Sequence, residues 1–210
     1  MSEWLEWLGR RFARLATRAV VAEPRLWSLF RRPLRAQFDL IASSWEGRGG
    51  PDALGALDAL LDRIDPPRRA LDLGAGTGKA ARLLARRFPQ AEVVGVDLAP
   101  AMVQEARGLL DPEFADRVRF DVADASALPF GDGEFDLVVL LNMIPFFPEL
   151  ARVTAPGGAL IFASYSGPAT PIYVPPETLR ARLEPLGFGE FEEVAKGDGT
   201  GFLARRRDLR

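Results

Sequence analysis

The sequence predicts an α/β protein with a doubly wound, mostly parallel sheet of seven strands and an N-terminal helical cap. Short apolar runs alternate with helical stretches from residue 69 onward, which is typical of a parallel sheet covered by helices on both faces. The run FDLVVLL at 135–141 is apolar at successive positions, as expected of a central strand that is buried on both faces. Residues 1–66 show helical periodicity instead, so the chain divides into two predicted regions.

Residues 1–66 are expected to form the helical extension or cap. Its first helix carries an apolar stripe at three- and four-residue steps, and this stripe predicts a face that docks on the core. The stripe consists of Trp4, Leu5, Leu8, Phe12, Leu15 and Ala19. Pro33 is expected to separate a second helical segment from a third over 34–45, and Asp52 is a candidate N-cap for a fourth helix.

Residues 67–210 are expected to form the main domain of alternating strands and helices. The predicted strands lie at 70–73, 92–97, 117–122, 135–141, 158–164, 188–194 and 201–205. The predicted helices lie at 79–88, 100–110, 148–154 and 175–186. The last two strands are interpreted as edge strands.

The composition excludes several classes of function. The 210 residues include no cysteine and no histidine, which excludes disulfides, thiolate metal ligands and a Ser-His-Asp triad, and no metal site is predicted. The 27 basic and 29 acidic residues leave a formal net charge of −2, so no nucleic-acid partner is expected. No apolar run reaches the length of about 18 residues that a membrane span needs, and the expected localisation is cytoplasmic.

The N-terminal region differs from the rest of the chain in its charge. Residues 1–35 contain eight arginines against three glutamates, a net charge of +5, together with three tryptophans. A basic amphipathic helix with tryptophans can lie on an anionic bilayer. Both docking of this helix on the core and peripheral membrane contact therefore stay open.

A glycine-rich turn joins the first predicted strand to a helix in ALDLGAGTGKAARLLA. Its glycines at 74, 76 and 78 let the backbone adopt positive φ and approach a ligand closely. The N-terminus of the helix adds free N–H groups, and ligands of open parallel sheets bind beyond the carboxyl ends of the strands. Nineteen residues after Gly78, the second strand VVGVD ends in Asp97, whose carboxylate can accept both hydroxyls of a ribose. The glycine-rich turn and the acid that ends the second strand together predict a nucleoside-binding site.

Three nucleoside-binding motifs compete for this turn. A P-loop requires G-x-x-x-x-G-K-[ST], but Leu73 stands at its first position and Ala80 at its last. The dinucleotide fingerprint G-x-G-x-x-G fits 74–76 but meets Lys79 at its last position, so a nicotinamide-dependent oxidoreductase stays an alternative. The pattern acid-x-G-x-G-x-G is matched in full by DLGAGTG at 72–78.

With these motifs the chain resembles the class I S-adenosylmethionine-dependent methyltransferases, especially those that act on small molecules. The resemblance runs from Arg69 to Phe162 and includes VADASALPF, FDLVVLLN and ARVTAPGGALIF in order. It implies a Rossmann-like methyltransferase fold, S-adenosylmethionine as cofactor and S-adenosylhomocysteine as product. It also implies methyl transfer by in-line displacement to a small-molecule acceptor.

The resemblance assigns residues of this sequence to each part of the cofactor. In that family the glycine turn cradles the methionine end, and the acid that opens the motif, here Asp72, lies near the ammonium group. The turn positions are Gly74, Ala75, Gly76 and Gly78. The acid that ends the second strand, here Asp97, would hold the ribose.

The remaining assignments concern the adenine and the methyl group. Leu98 and Met102 would lie against the adenine. In VADASALPF, Asp124 would accept the adenine amino group and the backbone N–H of Ala125 would bond a ring nitrogen. The end of the fourth strand, Leu141 with the following asparagine, would face the transferable methyl.

The sequence departs from the family beside the acceptor. Met143-Ile144 stands where an aromatic or histidine pair is common, so neither the acceptor nor its reacting atom is predicted. FDLIASSW, with Phe38 and Trp45, resembles the segment that helps to cover the active site in quinone-type methyltransferases. Lys79 is interpreted as a solvated residue of the first helical turn.

No catalytic residue is predicted, because methyl transfer needs a base only when the acceptor is protonated. Candidates for such a base are a carboxylate or Tyr165. The second hypothesis is a non-catalytic protein. Such a protein would bind S-adenosylmethionine without turnover, or would bind a partner or a membrane through its N-terminal helices. The oligomeric state stays open.

Overall fold

The computed structural model describes residues 3–48, 50 and 52–208. Residues 1, 2, 49, 51, 209 and 210 of the two predicted regions, and the side chain of Leu5 in the predicted stripe, lie outside the described residues. The strands are β1 (Arg69–Leu73), β2 (Glu92–Asp97), β3 (Val118–Val122), β4 (Phe135–Leu141), β5 (Thr154–Ser164), β6 (Phe188–Lys196) and β7 (Gly199–Arg206). The α-helices are α1 (Glu3–Ala22), α2 (Trp27–Ile41), α3 (Gly55–Leu61), α4 (Lys79–Arg87), α5 (Pro100–Gly108), α6 (Phe147–Val153) and α7 (Pro176–Leu183).

The seven strands form one sheet in the order β3-β2-β1-β4-β5-β7-β6. In this order, the five strands β3, β2, β1, β4 and β5 run parallel to their neighbours, while β7 is antiparallel to both β5 and β6. The predicted mostly parallel, seven-stranded fold is confirmed. The interpretation of β7 as an edge strand is wrong, because it is paired on both sides and its apolar centre, Phe202–Ala204, is buried.

Apolar side chains pack on both faces of the sheet. In β4, Val138 and Leu140 belong to the core on one face, and Leu137 and Val139 belong to the core on the other. This arrangement explains why the strand is apolar at successive positions. The strand order reverses between β1 and β4, so a crevice is expected beyond their carboxyl ends.

The second helix is longer than predicted. Pro33 lies inside α2 and does not divide it into two segments. Proline lacks the N–H that would bond the carbonyl of Leu29, and Leu29 is exposed, so water can satisfy that carbonyl. Asp52 is not an N-cap either: its carbonyl accepts a bond of 2.9 Å from the N–H of Gly55 in a turn that precedes α3.

The first helix docks through a different face than the stripe predicts. The side chains that it buries are small or β-branched: Ala13, Ala16, Thr17 and Val20. Phe12 packs beside them with its ring 5.7 Å from that of Phe30, but Trp4, Leu8 and Leu15 are exposed. Small side chains allow the helix to approach its neighbours closely. A prediction from the periodicity of large apolar residues gives such small residues too little weight. Within the described ranges, no helix has the length and apolar character needed to cross a membrane.

Candidate functional site

The glycine turn after β1 requires glycine at the predicted positions. Gly74, Gly76 and Gly78 have φ values of 74°, 54° and 81°, the left-handed region that side chains with a Cβ rarely adopt. A Cβ on Gly74 would lie 2.5 Å from the sulfur of Met143, and one on Gly76 would lie 3.0 Å from Nε1 of Trp45. The turn is therefore a tight backbone cradle with these two side chains against it.

Asp97 fixes this turn from the end of the neighbouring strand β2. Its Oδ2 accepts a hydrogen bond of 2.8 Å from the N–H of Gly76, and its Oδ1 accepts one of 2.9 Å from the N–H of Ala99. Burial raises the pKa of Asp97, and these N–H groups act in the opposite direction. The side chain is partly exposed, so it can also contact a ligand.

A cleft, here called the strand-end cavity, opens beyond the carboxyl ends of β1, β2 and β4. Eight of the eleven predicted cofactor residues line it. They are Gly74, Ala75, Gly76, Asp97, Leu98, Met102, Ala125 and Leu141. These residues come from four separate parts of the sequence, and the fold brings them around one space.

Asp72 does not line the strand-end cavity. It is fully buried, its Oδ2 accepts a hydrogen bond of 2.9 Å from the N–H of Ala81 in α4, and its Oδ1 has no hydrogen-bond partner among the described residues. Burial raises its pKa to about 7, and the nearby charge of Asp97 acts in the same direction. Gly78 also lies outside the cavity lining, directly before α4.

The carboxylate of Asp124, the third predicted residue outside the lining, is bound by the N-terminal region. Its Oδ1 accepts a hydrogen bond of 2.8 Å from Nε1 of Trp27, and its Oδ2 accepts one of 3.1 Å from Arg31. Ser126 also donates its N–H and its hydroxyl to Oδ1. Burial acts to raise the pKa of Asp124, but these hydrogen bonds outweigh it and lower the pKa.

The N-terminal region also covers the glycine turn. Trp45 and Phe38 line the strand-end cavity, with their rings edge to face at 5.5 Å. Glu46 anchors this segment: one oxygen accepts a hydrogen bond of 2.6 Å from the hydroxyl of Thr77, and the other accepts one of 2.7 Å from Arg82. The position of Phe38 and Trp45 thus agrees with the resemblance of FDLIASSW to a segment that helps to cover the active site.

Lys79 is not the solvated residue that the sequence analysis expected. It is partly buried and lines the strand-end cavity, and its Nζ donates a hydrogen bond of 2.7 Å to the carbonyl of Arg48. Burial lowers its pKa, and the guanidinium of Arg82 adds to this, whereas Glu46 raises it. The cavity therefore has a positive charge beside the glycine turn.

Asn142 follows β4 at the junction of several cavities. Its φ is 53°, its N–H bonds the carbonyl of Ala163 at 2.9 Å, and its side-chain Oδ1 is buried without a hydrogen-bond partner among the described residues. It lines both the strand-end cavity and a neighbouring space between α1 and α2, here called the helix cavity. Tyr165 lines the same two spaces. The Oδ1 of Asn142 is therefore available at this junction to accept a hydrogen bond from a second ligand.

Sequence reasoning missed the contacts of Trp27, Arg31 and Glu46, which lie far along the chain from their partners. Lys79 directly follows the glycine turn, and this place in the sequence is the signal for its position at the cavity. In the part of the chain that the structure describes, no group of three carboxylate side chains could hold a metal ion.

Comparisons with known proteins agree with this geometry. A family model described as a methyltransferase domain matches residues 70–158. The chain is 43% identical over 159 residues to a malonyl-[acyl-carrier protein] O-methyltransferase of Halorhodospira halophila, covering 68% of this chain and 51% of that protein. It is 44% identical over 126 residues to a demethylmenaquinone methyltransferase of Thermus thermophilus, covering 54% of this chain and 53% of that protein. The chain thus spans about half the length of these curated relatives.

Solved structures show the same fold. A SAM-dependent methyltransferase from Aquifex aeolicus superposes with a TM-score of 0.65 at 20% identity, covering 78% of this chain and 97% of that one. The predicted Rossmann-like architecture is confirmed by this likeness. The methyltransferase family model and the curated relatives favour the acid-x-G-x-G-x-G interpretation of the glycine turn over a nicotinamide site.

Proposed function

We propose that this chain, a member of the class I S-adenosylmethionine-dependent methyltransferases, transfers a methyl group from S-adenosylmethionine to a small-molecule acceptor. The observation that carries the proposal is the strand-end cavity, in which a glycine cradle and the carboxylate of Asp97 face one space. The curated relatives, named for methyl transfer to malonyl-[acyl-carrier protein] and demethylmenaquinone, support the reaction type.

The residues of the cavity fit this cofactor. A Cβ on Gly74 would meet Met143, and a Cβ on Gly76 would meet Trp45. Glycine at these two positions therefore leaves the backbone of the turn accessible to a ligand. The carboxylate of Asp97 would accept the ribose hydroxyls, and Leu98 and Met102 offer apolar contacts for the adenine. The fit rests on groups typical of nucleoside recognition: a carboxylate that accepts hydrogen bonds, backbone N–H groups that donate them, and apolar walls.

Charged groups around the glycine turn would hold the methionine end. Asp72 lies under the turn with an oxygen that lacks a hydrogen-bond partner among the described residues, so a cationic ammonium nearby would stabilise its ionised form. Lys79, on the cavity side of α4, would bind the carboxylate of the same ligand. Asp124 and the N–H of Ala125 would bind the edge of the adenine. The adenine amino group would then compete with the indole N–H of Trp27 as a hydrogen-bond donor to the Asp124 carboxylate.

S-adenosylmethionine, when bound, supplies a methyl carbon attached to a sulfonium whose leaving group is a neutral thioether. The contribution of the protein is therefore alignment of the acceptor and exclusion of water. Trp45 and Phe38 would exclude water by covering the cavity, since the Trp45 ring already lies over Gly76 and the Phe38 ring packs against Trp45. Asn142 would orient an acceptor hydroxyl or amine through its unpaired Oδ1, with Tyr165 beside it.

A methylation assay tests the proposal. The protein is incubated with S-adenosylmethionine and a panel of small acceptors that carry phenolic, carboxyl, amine or enolic groups, and S-adenosylhomocysteine is quantified. We expect turnover with at least one acceptor class and its loss in Asn142→Ala, because this variant removes the orienting oxygen. Asn142→Asp is the matched variant, since it keeps an oxygen at the same position. Binding of the cofactor without turnover on any acceptor would contradict methyl transfer and favour a non-catalytic binding protein.

A further inference from the structure

Large exposed apolar side chains are concentrated on the two N-terminal helices. Among the described residues, eight such side chains stand out, and six belong to α1 and α2. They are Trp4, Trp7, Leu8, Leu15, Leu29 and Leu40, and the other two are Leu109 and Val122. Trp4 is 64% exposed and Leu40 77% exposed, and a concentration of exposed apolar side chains marks an interaction surface.

The exposed tryptophans and leucines of α1 lie on the face opposite its buried residues. With about 100° between successive residues, Ala16 and Val20 fall on one side of the helix, and Trp4 and Leu15 fall on the other. Arginines share this outer face. The guanidinium of Arg11 lies 4.7 Å from the centre of the Trp7 ring. The outer face therefore combines apolar rings and chains with positive charge.

The charge of the chain is divided in the same way. Residues 1–35 carry a net charge of +5, whereas the remaining residues carry −7, as the overall value of −2 requires. A surface that is both basic and rich in exposed tryptophan and leucine complements an anionic lipid bilayer. Arginine can bind lipid phosphates there, while tryptophan prefers the interfacial layer of the membrane. A nucleic acid would not cover the leucines.

The helix cavity opens at this same surface. The exposed side chains of Arg10 and Leu40 line it on the outside. Phe38, Asn142 and Tyr165 line it on the inside, where they also line the strand-end cavity. The two cavities thus adjoin each other at Asn142, and the helix cavity extends from there to the exposed Arg10 and Leu40.

We propose that the exposed side chains of α1 (Trp4, Trp7, Leu8, Leu15) and of α2 (Leu29, Leu40) dock on an anionic bilayer and that the mouth of the helix cavity then faces the lipid. An apolar acceptor dissolved in the membrane reaches the junction at Asn142 through this opening. The acceptor route rests on the proposed methyl transfer, whereas the docking does not.

Vesicle sedimentation of the full chain, without cofactor or acceptor, tests the docking. We expect binding to phosphatidylcholine vesicles that contain phosphatidylglycerol, weak binding to phosphatidylcholine alone, and weakening by salt. Trp4→Ser with Trp7→Ser, or Arg11→Glu with Arg18→Glu, should lower the affinity by about tenfold or more. All four residues are exposed, so the fold should persist, and circular dichroism checks this.

The matched control is Leu109→Ser with Val122→Ser, which removes the two exposed apolar side chains outside the N-terminal helices. This variant should bind vesicles as the unmodified chain does. Docking is overturned if the unmodified chain does not sediment with anionic vesicles, or if the control loses as much affinity as the tryptophan variant.

Site-specific labelling tests the orientation of the cavity mouth, because the chain has no native cysteine. An environment-sensitive fluorophore on Leu40→Cys should shift to the blue and brighten on anionic vesicles, and the same label on Leu109→Cys should not. Equal responses from both positions, or a response from Leu109→Cys alone, would overturn the proposed orientation even if the protein binds. Neither result depends on whether methyl transfer occurs.

Discussion

The indole Nε1 of Trp27 donates a hydrogen bond of 2.8 Å to Oδ1 of Asp124, 97 residues further along the chain. The Trp27 ring also packs edge to face with Phe146 at 5.1 Å. Arg31, one turn along the same helix, pairs with the other carboxylate oxygen. The second helix is thereby attached to the loop that follows β3, beside the residues assigned to the adenine.

Replacing Trp27 by phenylalanine should measure this attachment. Trp27→Phe keeps an aromatic ring against Phe146 but removes the donor to a charged acceptor, so we expect the free energy of unfolding to fall by about 1–2 kcal/mol. Urea denaturation followed by far-ultraviolet circular dichroism gives the value. Trp4→Phe, at a site that is 64% exposed, is the control and should change it little. Equal effects of the two substitutions would mean that the Trp27 hydrogen bond contributes no stability.

Lys79 should discriminate between ligands with and without a carboxylate. If its ammonium binds the carboxylate of the methionine end, Lys79→Met should weaken S-adenosylhomocysteine binding by about tenfold. Binding of 5′-methylthioadenosine, which lacks the amino-acid part, should not change. Lys196→Met provides the control, since Lys196 is the other lysine of the chain and lies on β6. A parallel loss for both ligands would show that Lys79 only supports the fold.

Asp72 should make stability depend on pH. Its pKa rises from 3.8 to about 7 on folding because burial disfavours the ionised form. The unfolded chain therefore releases this proton first, and the free energy of unfolding falls as the pH rises from about 4 to about 7. Asp72→Asn can still accept the N–H of Ala81 but carries no charge. Its stability relative to the unmodified chain should increase by a few kcal/mol over this interval.

Denaturation of both proteins at about pH 4 and about pH 8 measures that change. Below the lower pH the carboxyl is protonated in both states and contributes no pH dependence. A stability difference between Asp72→Asn and the unmodified chain that stays constant with pH would contradict the raised pKa of the buried Asp72 carboxyl.

The parts of the site that follow from local spacing could be predicted from the sequence. The glycine turn requires positive φ at fixed positions, and Asp97 ends the adjacent strand, so their meeting follows from the parallel sheet. The face of β1 on which Asp72 lies could also be predicted. Leu71 and Leu73 pack on one face of β1, and alternation puts Asp72 on the other face, with Ala70 and α4.

The remaining features depend on contacts that no local pattern contains. Trp45 lies over Gly76 and Glu46 binds Arg82 only because the N-terminal segment folds back over the strand ends. The docking face of α1 uses small residues, whereas periodicity gives most weight to large ones. The interior position of β7 follows from its pairing with two strands and not from its own composition.

Calorimetric titration with S-adenosylhomocysteine tests most directly whether the strand-end cavity is a cofactor site. The unmodified chain should bind it, and Asp97→Asn should lose affinity by about a hundredfold, because the substitution removes the charge that accepts the ribose hydroxyls. Asp116→Asn, at an exposed acid outside the cavity lining, should bind normally. No heat of binding to the unmodified chain, or equal affinities of a correctly folded Asp97→Asn and the unmodified chain, would contradict the assignment.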